Sequence, residues 1–315
     1  MSGHVLALSG GVGGAKMAAG LAAILPPERL TVVVNTGDDF EHLGLSICPD
    51  IDSVVYAMAG LNDRQRGWGM MDESWQMMAM LRRLGGPDWF NLGDRDLAMH
   101  LMRSAGLRQG LSLSDVTAQL VKALGIGGNI VPMSDDPVQT QIETAQGWLD
   151  FQSYFVGQQC QPIAKAIRFD GAEKAQISPA FAAALVRPDL AAVVICPSNP
   201  YLSIEPILAI PTVREALLGL QVPRICISPL IGGAAVKGPL GKLLMELGNG
   251  ANNAAIAAHY GALISHMMID RTDVSDAAPL HMAGLCVSLA DTLMRHAADQ
   301  SRLAHEVLTA IGIAV

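Results

Sequence analysis

Two adjacent carboxylates, Asp38 and Asp39, follow the turn formers Asn35, Thr36 and Gly37, and two more, Asp50 and Asp52, follow soon after. Acids gathered in this way make a seat for a hard cation such as Mg2+. The β-branched run Thr31–Val34 just before them reads as a buried strand. In open α/β sheets, ligands bind beyond the carboxyl ends of strands. The competing reading is solvated loop acids plus an N-cap for a helix beginning near Ile51.

Three other stretches carry chemistry. Ser9, Gly10, Gly11, Gly13 and Gly14 end the apolar run Val5–Ser9 and precede a helix of small residues from Met17. Strand, glycine turn and helix together offer backbone N–H groups and a helix dipole to a phosphate. The stretch matches neither a Walker A loop nor a clean dinucleotide fingerprint, and a tight turn needing glycine for packing looks the same. Gly232 and Gly233, with Lys237 nearby, repeat the phosphate theme after the strand Arg224–Ser228; a plain loop with a surface lysine is the alternative. Trp89 and Phe90 stand beside Asn91, Asp94 and Arg95 in a chain with only six Phe and four Trp. That grouping offers a stacking platform for a flat heterocycle, or a helix capped by Asp94 with its aromatics in the core.

These residues need a frame. Strands are expected at Val5–Ser9, Thr31–Val34, near Asn129, at Leu190–Cys196, Arg224–Ser228 and Met267–Asp270, with Leu285–Val287 a further candidate. Helices fall between them, as parallel βαβ units demand. Thr140–Phe155 alternates like a strand pair, 157–180 is polar and turn-rich, and Ala290–Ile311 reads as an amphipathic helix. Strand ends at Ser9–Gly14, Asn35–Asp39, Pro197–Pro200 and Pro229–Gly238 all open onto polar turns. That repetition points to a doubly wound sheet with one composite ligand site along its carboxyl edge.

Totals narrow the classes. The chain has 315 residues, half of them apolar and 16% charged, which fits a globular protein of one large or two close domains. A net charge of −8 gives no support to nucleic-acid binding. Cys48, Cys160, Cys196, Cys226 and Cys286 form no CxxC pair, which fits reduced thiols. His42, His100, His259 and His266 show neither metal nor triad spacing. No apolar run reaches the ~20 residues of a membrane span and no signal peptide is visible, so a cytoplasmic protein is expected.

The motifs SGGVGGAK (Ser9–Lys16), NTGDD (Asn35–Asp39), GLSICPDID (Gly44–Asp52), RGWG (Arg66–Gly69), WFNLGDRDLAMHL (Trp89–Leu101), PMSDDPVQT (Pro132–Thr140), PSNPYLSIEPILAIP (Pro197–Pro211) and SPLIGGAAVKGP (Ser228–Pro239) occur in this order. With them the chain resembles the 2-phospho-L-lactate transferase family of coenzyme F-420 biosynthesis. The resemblance implies a Rossmann-like, doubly wound, mainly parallel α/β sheet with a smaller inserted α/β portion. It is expected as one domain over 1–315, with a helical or α+β subregion at roughly 60–180.

The resemblance also implies a reaction. A guanosine diphosphate carries a three-carbon acid, the ribityl hydroxyl of a deazaflavin (Fo) attacks, and GMP leaves. Mg2+ and a homodimer are implied. Asp38, Asp39, Asp50 and Asp52 then become metal ligands, with Asp50 and Asp38 catalytic and Asp50 orienting the hydroxyl. Ser9–Gly14 and Gly232–Gly233 hold the nucleotide phosphates, Ser198 and Asn199 meet the guanosine part, and Asn91 with Trp89–Phe90 faces the deazaflavin. Glu205 and Thr212 replace glycines usual in the family, which bears on which three-carbon acid is accepted. A rival is a nucleotide-sugar-binding regulator with the same core. Its DDGGSSG-type turn is replaced here by Asp38-Asp39-Phe40-Glu41-His42-Leu43-Gly44. An NAD-dependent oxidoreductase is a third reading, which the poor glycine fingerprint disfavours.

Overall fold

The computed structural model describes residues 3–236, 238–248 and 250–314. Strand β1 (His4–Ser9) is buried along its whole length. Its Leu6 and Leu8 belong to one apolar core, its Val5 and Ala7 to another. Period-two alternation with both faces apolar is what a strand covered by helices on both sides requires. Val33 and Val193 take the first core, and Val32, Val34, Ala192 and Val194 the second.

From β1 the chain turns into α1 (Gly11–Ile24) and returns as β2 (Leu30–Val34), parallel to β1. A short hairpin follows, β3 (Phe40–His42) and β4 (Leu45–Ile47), then α2 (Pro49–Met58). Helices α3 (Gln76–Arg83), α4 (Asp94–Arg108) and α5 (Leu113–Ala123) lead to β5 (Asn129–Pro132), which pairs with β2. β6 (Gln139–Thr144), β7 (Gly147–Asp150) and β8 (Ala166–Asp170) form a separate antiparallel sheet in the order β7-β6-β8. After α6 (Pro179–Leu185), β9 (Leu190–Ile195) returns to the far side of β1. Then come α7 (Glu205–Leu208), α8 (Pro211–Gly219), β10 (Arg224–Ile227) and a tiny hairpin, β11 (Leu230–Ile231) with β12 (Ala234–Ala235). The chain ends through α9 (Leu240–Glu246), α10 (Asn253–Tyr260), β13 (His266–Asp270), α11 (Ala277–Met282), β14 (Cys286–Ala290) and α12 (Ala297–Ala310).

The central sheet has seven strands in the order β14-β13-β10-β9-β1-β2-β5, every pair parallel. The expected doubly wound α/β fold is therefore present, with the smaller sheet inside the stretch between β5 and β9. Strand order runs one way from β1 through β2 and the other way from β9 through β10. The crevice beyond β1 and β9 is thus the topological switch point, where ligands of such sheets bind.

Several elements differ from expectation. Strand β8 (Ala166–Asp170) lies inside the polar stretch 157–180 that reads as turns. A hairpin, β3–β4, fills the segment between Asp39 and Asp50, where three-residue strands leave no periodicity to read. The second expected strand of Thr140–Phe155 stops at Asp150; the chain then winds into a π-helical turn, Ser153–Gly157, with Phe155 stacked on Phe151 at 5.2 Å. The C-terminal helix begins at Ala297 instead of Ala290, because Ala290 ends β14 and His296 with Asp299 forms the capping box.

Candidate active site

Two turns close on each other at the switch point. The Ser198 hydroxyl donates to the Gly10 carbonyl at 2.8 Å and accepts the Gly10 N–H at 3.3 Å. A Cβ on Gly13 would press into the Pro197 carbonyl, and one on Gly14 into the Ser198 and Ser9 hydroxyls. Asn199 spends its side-chain oxygen on the Tyr201 and Leu202 amides, capping the turn Pro200–Ile204. The glycines thus serve close packing, and the N–H groups of Gly10 and Gly11 are already engaged. This corrects the picture of an open phosphate cradle at those two amides.

The Gly11 amide is filled by an acid. It donates to Asp50 Oδ1 at 2.7 Å, and Asn35 Nδ2 donates to Asp50 Oδ2 at 2.9 Å. Asn35 is fixed in turn by the Gly37 amide, which its Oδ1 accepts at 2.8 Å. Asp50 lies in the first turn of α2, so the chain places a carboxylate at the foot of α1. Asp38 and Asp39 each keep an Oδ1 shielded from solvent with no hydrogen-bond partner, as does the Thr36 hydroxyl.

Burial raises all three acids. It drives Asp38 well above the carboxylate range, with the charges of Asp50 and Asp39 adding and Asn35 and Thr140 opposing. Burial likewise lifts Asp39, against the Cys48 thiol and Arg103. It brings Asp50 to about 6, against Asn35 and Gly11. Carboxylates held out of water with so little compensation favour a proton or a cation. Hard oxygens with unpartnered lone pairs fit Mg2+, which uses one or two carboxylates and keeps several waters. Asp38, Asp39 and Asp50 are the acids left to meet such an ion, although their ligand atoms do not all lie within 4.8 Å of one another.

Asp52 leaves that set. Both its oxygens are gripped by Arg103, a contact that neutralises it inside the α2–α4 packing. Among the described residues, the trio whose ligand atoms lie within 4.8 Å of one another is Asp52, Asp96 and His100. The guanidinium already fills that place, and Tyr56 donates to Asp96. A second cation there would have to displace the guanidinium from Asp52.

Beside the acids rises an aromatic wall that begins at Phe40, the residue after Asp39. Phe40, His42, Trp89 and Phe90 meet with ring centroids 4.9 to 6.1 Å apart. Trp89 keeps 37% of its surface exposed. The polar neighbours expected to share its ligand are committed elsewhere. Asn91 accepts from Arg82 at 2.9 Å. Asp94 caps α3 through the Gln76 and Met77 amides. Arg95 donates to the Met71 carbonyl at 2.8 Å. His42 belongs to the wall although its sequence spacing gave no signal; burial lowers its pKa. Gln152 was equally silent, and its amide donates to the Asp38 carbonyl at 3.4 Å.

The Gly232–Gly233 turn is likewise occupied from within. Asp273 accepts the Gly232 amide at 3.0 Å and the Gly233 amide at 2.7 Å. Lys237 lies outside the described residues. The Glu205 carboxylate is paired with Arg214, and His259 Nε2 lies 3.0 Å from its other oxygen.

The profile of the family described as 2-phospho-L-lactate transferase CofD matches residues 5–303. A phosphoenolpyruvate transferase of Kitasatospora aureofaciens is 39% identical over 312 residues, covering 97% of both chains. A 2-phospho-L-lactate transferase of Methanosarcina mazei is 39% identical over 306 residues, covering 97% of this chain and 100% of its own. Among solved structures, a UPF0052 protein of Bacillus halodurans superposes with a TM-score of 0.65 at 15% identity, over 98% of this chain and 100% of its own. That likeness concerns the fold. Among the described residues, no helix is long and apolar enough to cross a membrane.

Proposed function

The chain belongs to the 2-phospho-L-lactate transferase CofD family, and from that premise we propose that it transfers a phosphorylated three-carbon acid from a guanosine diphosphate derivative to a deazaflavin, Fo. The terminal ribityl hydroxyl attacks the phosphorus that bears the acid. The bond from that phosphorus to the bridging oxygen breaks, and GMP leaves with the electron pair. The product is a phosphodiester joining deazaflavin to acid.

Phosphoryl transfer asks for positioning and charge neutralisation more than for a protein nucleophile. Mg2+, when bound, supplies that neutralisation. Asp50, held by Gly11 and Asn35, orients the attacking hydroxyl and accepts its proton. Trp89 and its aromatic neighbours stack the deazaflavin ring. The observation that carries the reading is the set of carboxylates Asp38, Asp39 and Asp50 at the sheet's carboxyl edge, Asp38 and Asp50 buried and Asp39 half-buried, with one oxygen each of Asp38 and Asp39 shielded and unpartnered. A regulator that only binds a nucleotide sugar has no need of such an acidic centre.

Relatives named for phospholactate and for phosphoenolpyruvate are equally similar, 39% in each case, so identity does not choose the acid. The test is direct. Protein, Fo and Mg2+ are incubated with the phospholactate, phosphoenolpyruvate and phosphoglycerate derivatives of guanosine diphosphate in turn, and products are followed by mass spectrometry. Formation of a Fo phosphodiester with matching GMP from one donor is expected. No product from any donor sinks the assignment.

A further inference from the structure

Arg103 sits on α4 with no exposed surface. Its two Nη groups grip both oxygens of Asp52, and Nη1 also donates to the Ser46 carbonyl at 3.3 Å. The next residue, Ser104, accepts the Ser46 amide at 2.8 Å. Ser46 belongs to β4, half of an isolated two-stranded ribbon. Such a ribbon has marginal stability alone, so these contacts seat it on α4. Asp39 leads into the ribbon, and Cys48 leads out of it.

The same guanidinium acts on α2. Asp50 and Asp52 are two residues apart, about 200° around the helix, and project from opposite sides. Asp50 reaches Gly11 and Asn35, whereas Asp52 reaches Arg103. Helix α2 is therefore pinned between α1 and α4 by two acids of its first turns. A buried ion pair seldom stabilises a fold more than well-packed apolar side chains would. What the planar fork adds is fixed geometry at three acceptors at once.

We propose that Arg103 is a positioning residue for the acidic centre, setting the seat of the β3–β4 ribbon and the roll of α2 and thereby the aim of Asp39 and Asp50. The inference rests on the reading of Asp38, Asp39 and Asp50 as the place of transfer. Arg103 itself touches no reacting atom.

The test removes the guanidinium together with the acid it grips; Asp39 also loses a nearby positive charge in this variant and keeps it in Arg103→Lys. In Arg103→Met with Asp52→Leu, the pair becomes apolar and the melting temperature is expected to stay within about 5 °C of wild type. Exchange of the Gly11 amide, which reports its bond to Asp50, is expected to accelerate at least roughly tenfold while Val32 and Val33 keep their protection. The transfer kcat falls with donor KM held within about twofold. Arg103→Lys retains the charge but not the fork; it shows the same acceleration of Gly11 and decides the matter if the double variant does not fold. Unchanged Gly11 exchange in a folded variant overturns the proposal, whatever the activity. If the wild type transfers nothing, the assigned reaction fails and the exchange data alone judge Arg103.

Discussion

Asp50 holds the amide of Gly11 at 2.7 Å, so the negative charge at the foot of α1 is the protein's own carboxylate. A helix N-terminus stabilises an anion, yet this acid remains raised to about 6 by burial. The helix end orients Asp50 without fully compensating it, and the remainder of its charge is left for a cation or a proton.

Replacing Asp50 by Asn tests that division. The Asn oxygen can still accept from Gly11, but its NH2 then faces the NH2 of Asn35, which is itself held by the Gly37 amide. The expected cost is about 1 kcal/mol of stability, read from denaturant unfolding. Transfer falls by about 100- to 10,000-fold, the range for a lost general base. Turnover near wild type with an intact fold refutes the role.

The pH dependence has a fixed sign. Asp50 titrates higher in the folded chain, about 6, than the ordinary carboxylate value. The folded state therefore binds this proton more tightly than the unfolded state. Its contribution favours the metal-free chain at pH below the unfolded value of ~4 and is lost as pH rises towards 6. Mg2+ competes with the same proton, so its affinity drops by roughly tenfold per unit below that range. Thermal melts with and without Mg2+ are expected to show a larger upward shift at pH 7.5 than at pH 5.5. Equal shifts at both pH values count against these acids as the Mg2+ seat.

Much of the frame was legible because buried parallel strands leave long apolar runs: Val5–Ser9, Thr31–Val34 and Leu190–Cys196 each mark a strand of the sheet. The β3–β4 ribbon was not legible, since three-residue strands carry no period. At the site, residue type was readable and aim was not. Asp50 and Asp52 look alike in PDID, but helical geometry turns one to α1 and the other to Arg103. Arg103 has no sequence signal, because its partners lie 51 and 57 residues away. The glycine turns were recognisable as turns, but whether their amides were free depended on Ser198, Asp50 and Asp273, which the chain delivers from distant segments.

Two glycines separate packing from backbone need. Gly13→Ala places a Cβ against the Pro197 carbonyl oxygen, on a turn already fastened to Gly10. Alanine's better helix propensity, about 1 kcal/mol, does not offset that overlap, and a loss of about 3 kcal/mol is expected. Gly44 has a φ of +73° and nothing within 4 Å of a built Cβ. Gly44→Ala is expected to cost only the left-handed penalty of about 1–2 kcal/mol. Equal losses in urea denaturation would mean that the switch-point turns are not tightly locked.

Asp273 occupies the Gly232–Gly233 turn as an internal anion. Asp273→Ala frees the Gly233 amide and leaves the Gly232 amide with the Thr272 hydroxyl at 3.0 Å, which removes the internal anion and opens the turn to phosphate. The expected loss is about 1–2 kcal/mol. Millimolar inorganic phosphate should then shift the Gly232 and Gly233 amide resonances in the variant and leave the wild type unmoved. A response in the wild type would restore this turn as an open phosphate site.

Trp89 and Phe90 are adjacent in sequence, but their surroundings assign them different work. Phe90 is half-buried and packs edge-on against Phe40 at 4.9 Å, next to the small core of Leu45, Ile47, Met78 and Leu92. Trp89 keeps 37% of its surface free. Truncating the first removes packing; truncating the second removes an available ring face. Phe90→Ala is therefore expected to lower stability by about 3 kcal/mol. Trp89→Ala is expected to leave the melting temperature nearly unchanged and to weaken deazaflavin binding about tenfold, within the range for stacking on an aromatic side chain. Titration of Fo, followed by its own absorbance, separates the two. Should Trp89→Ala bind Fo as tightly as wild type, the flat acceptor does not lie on this wall.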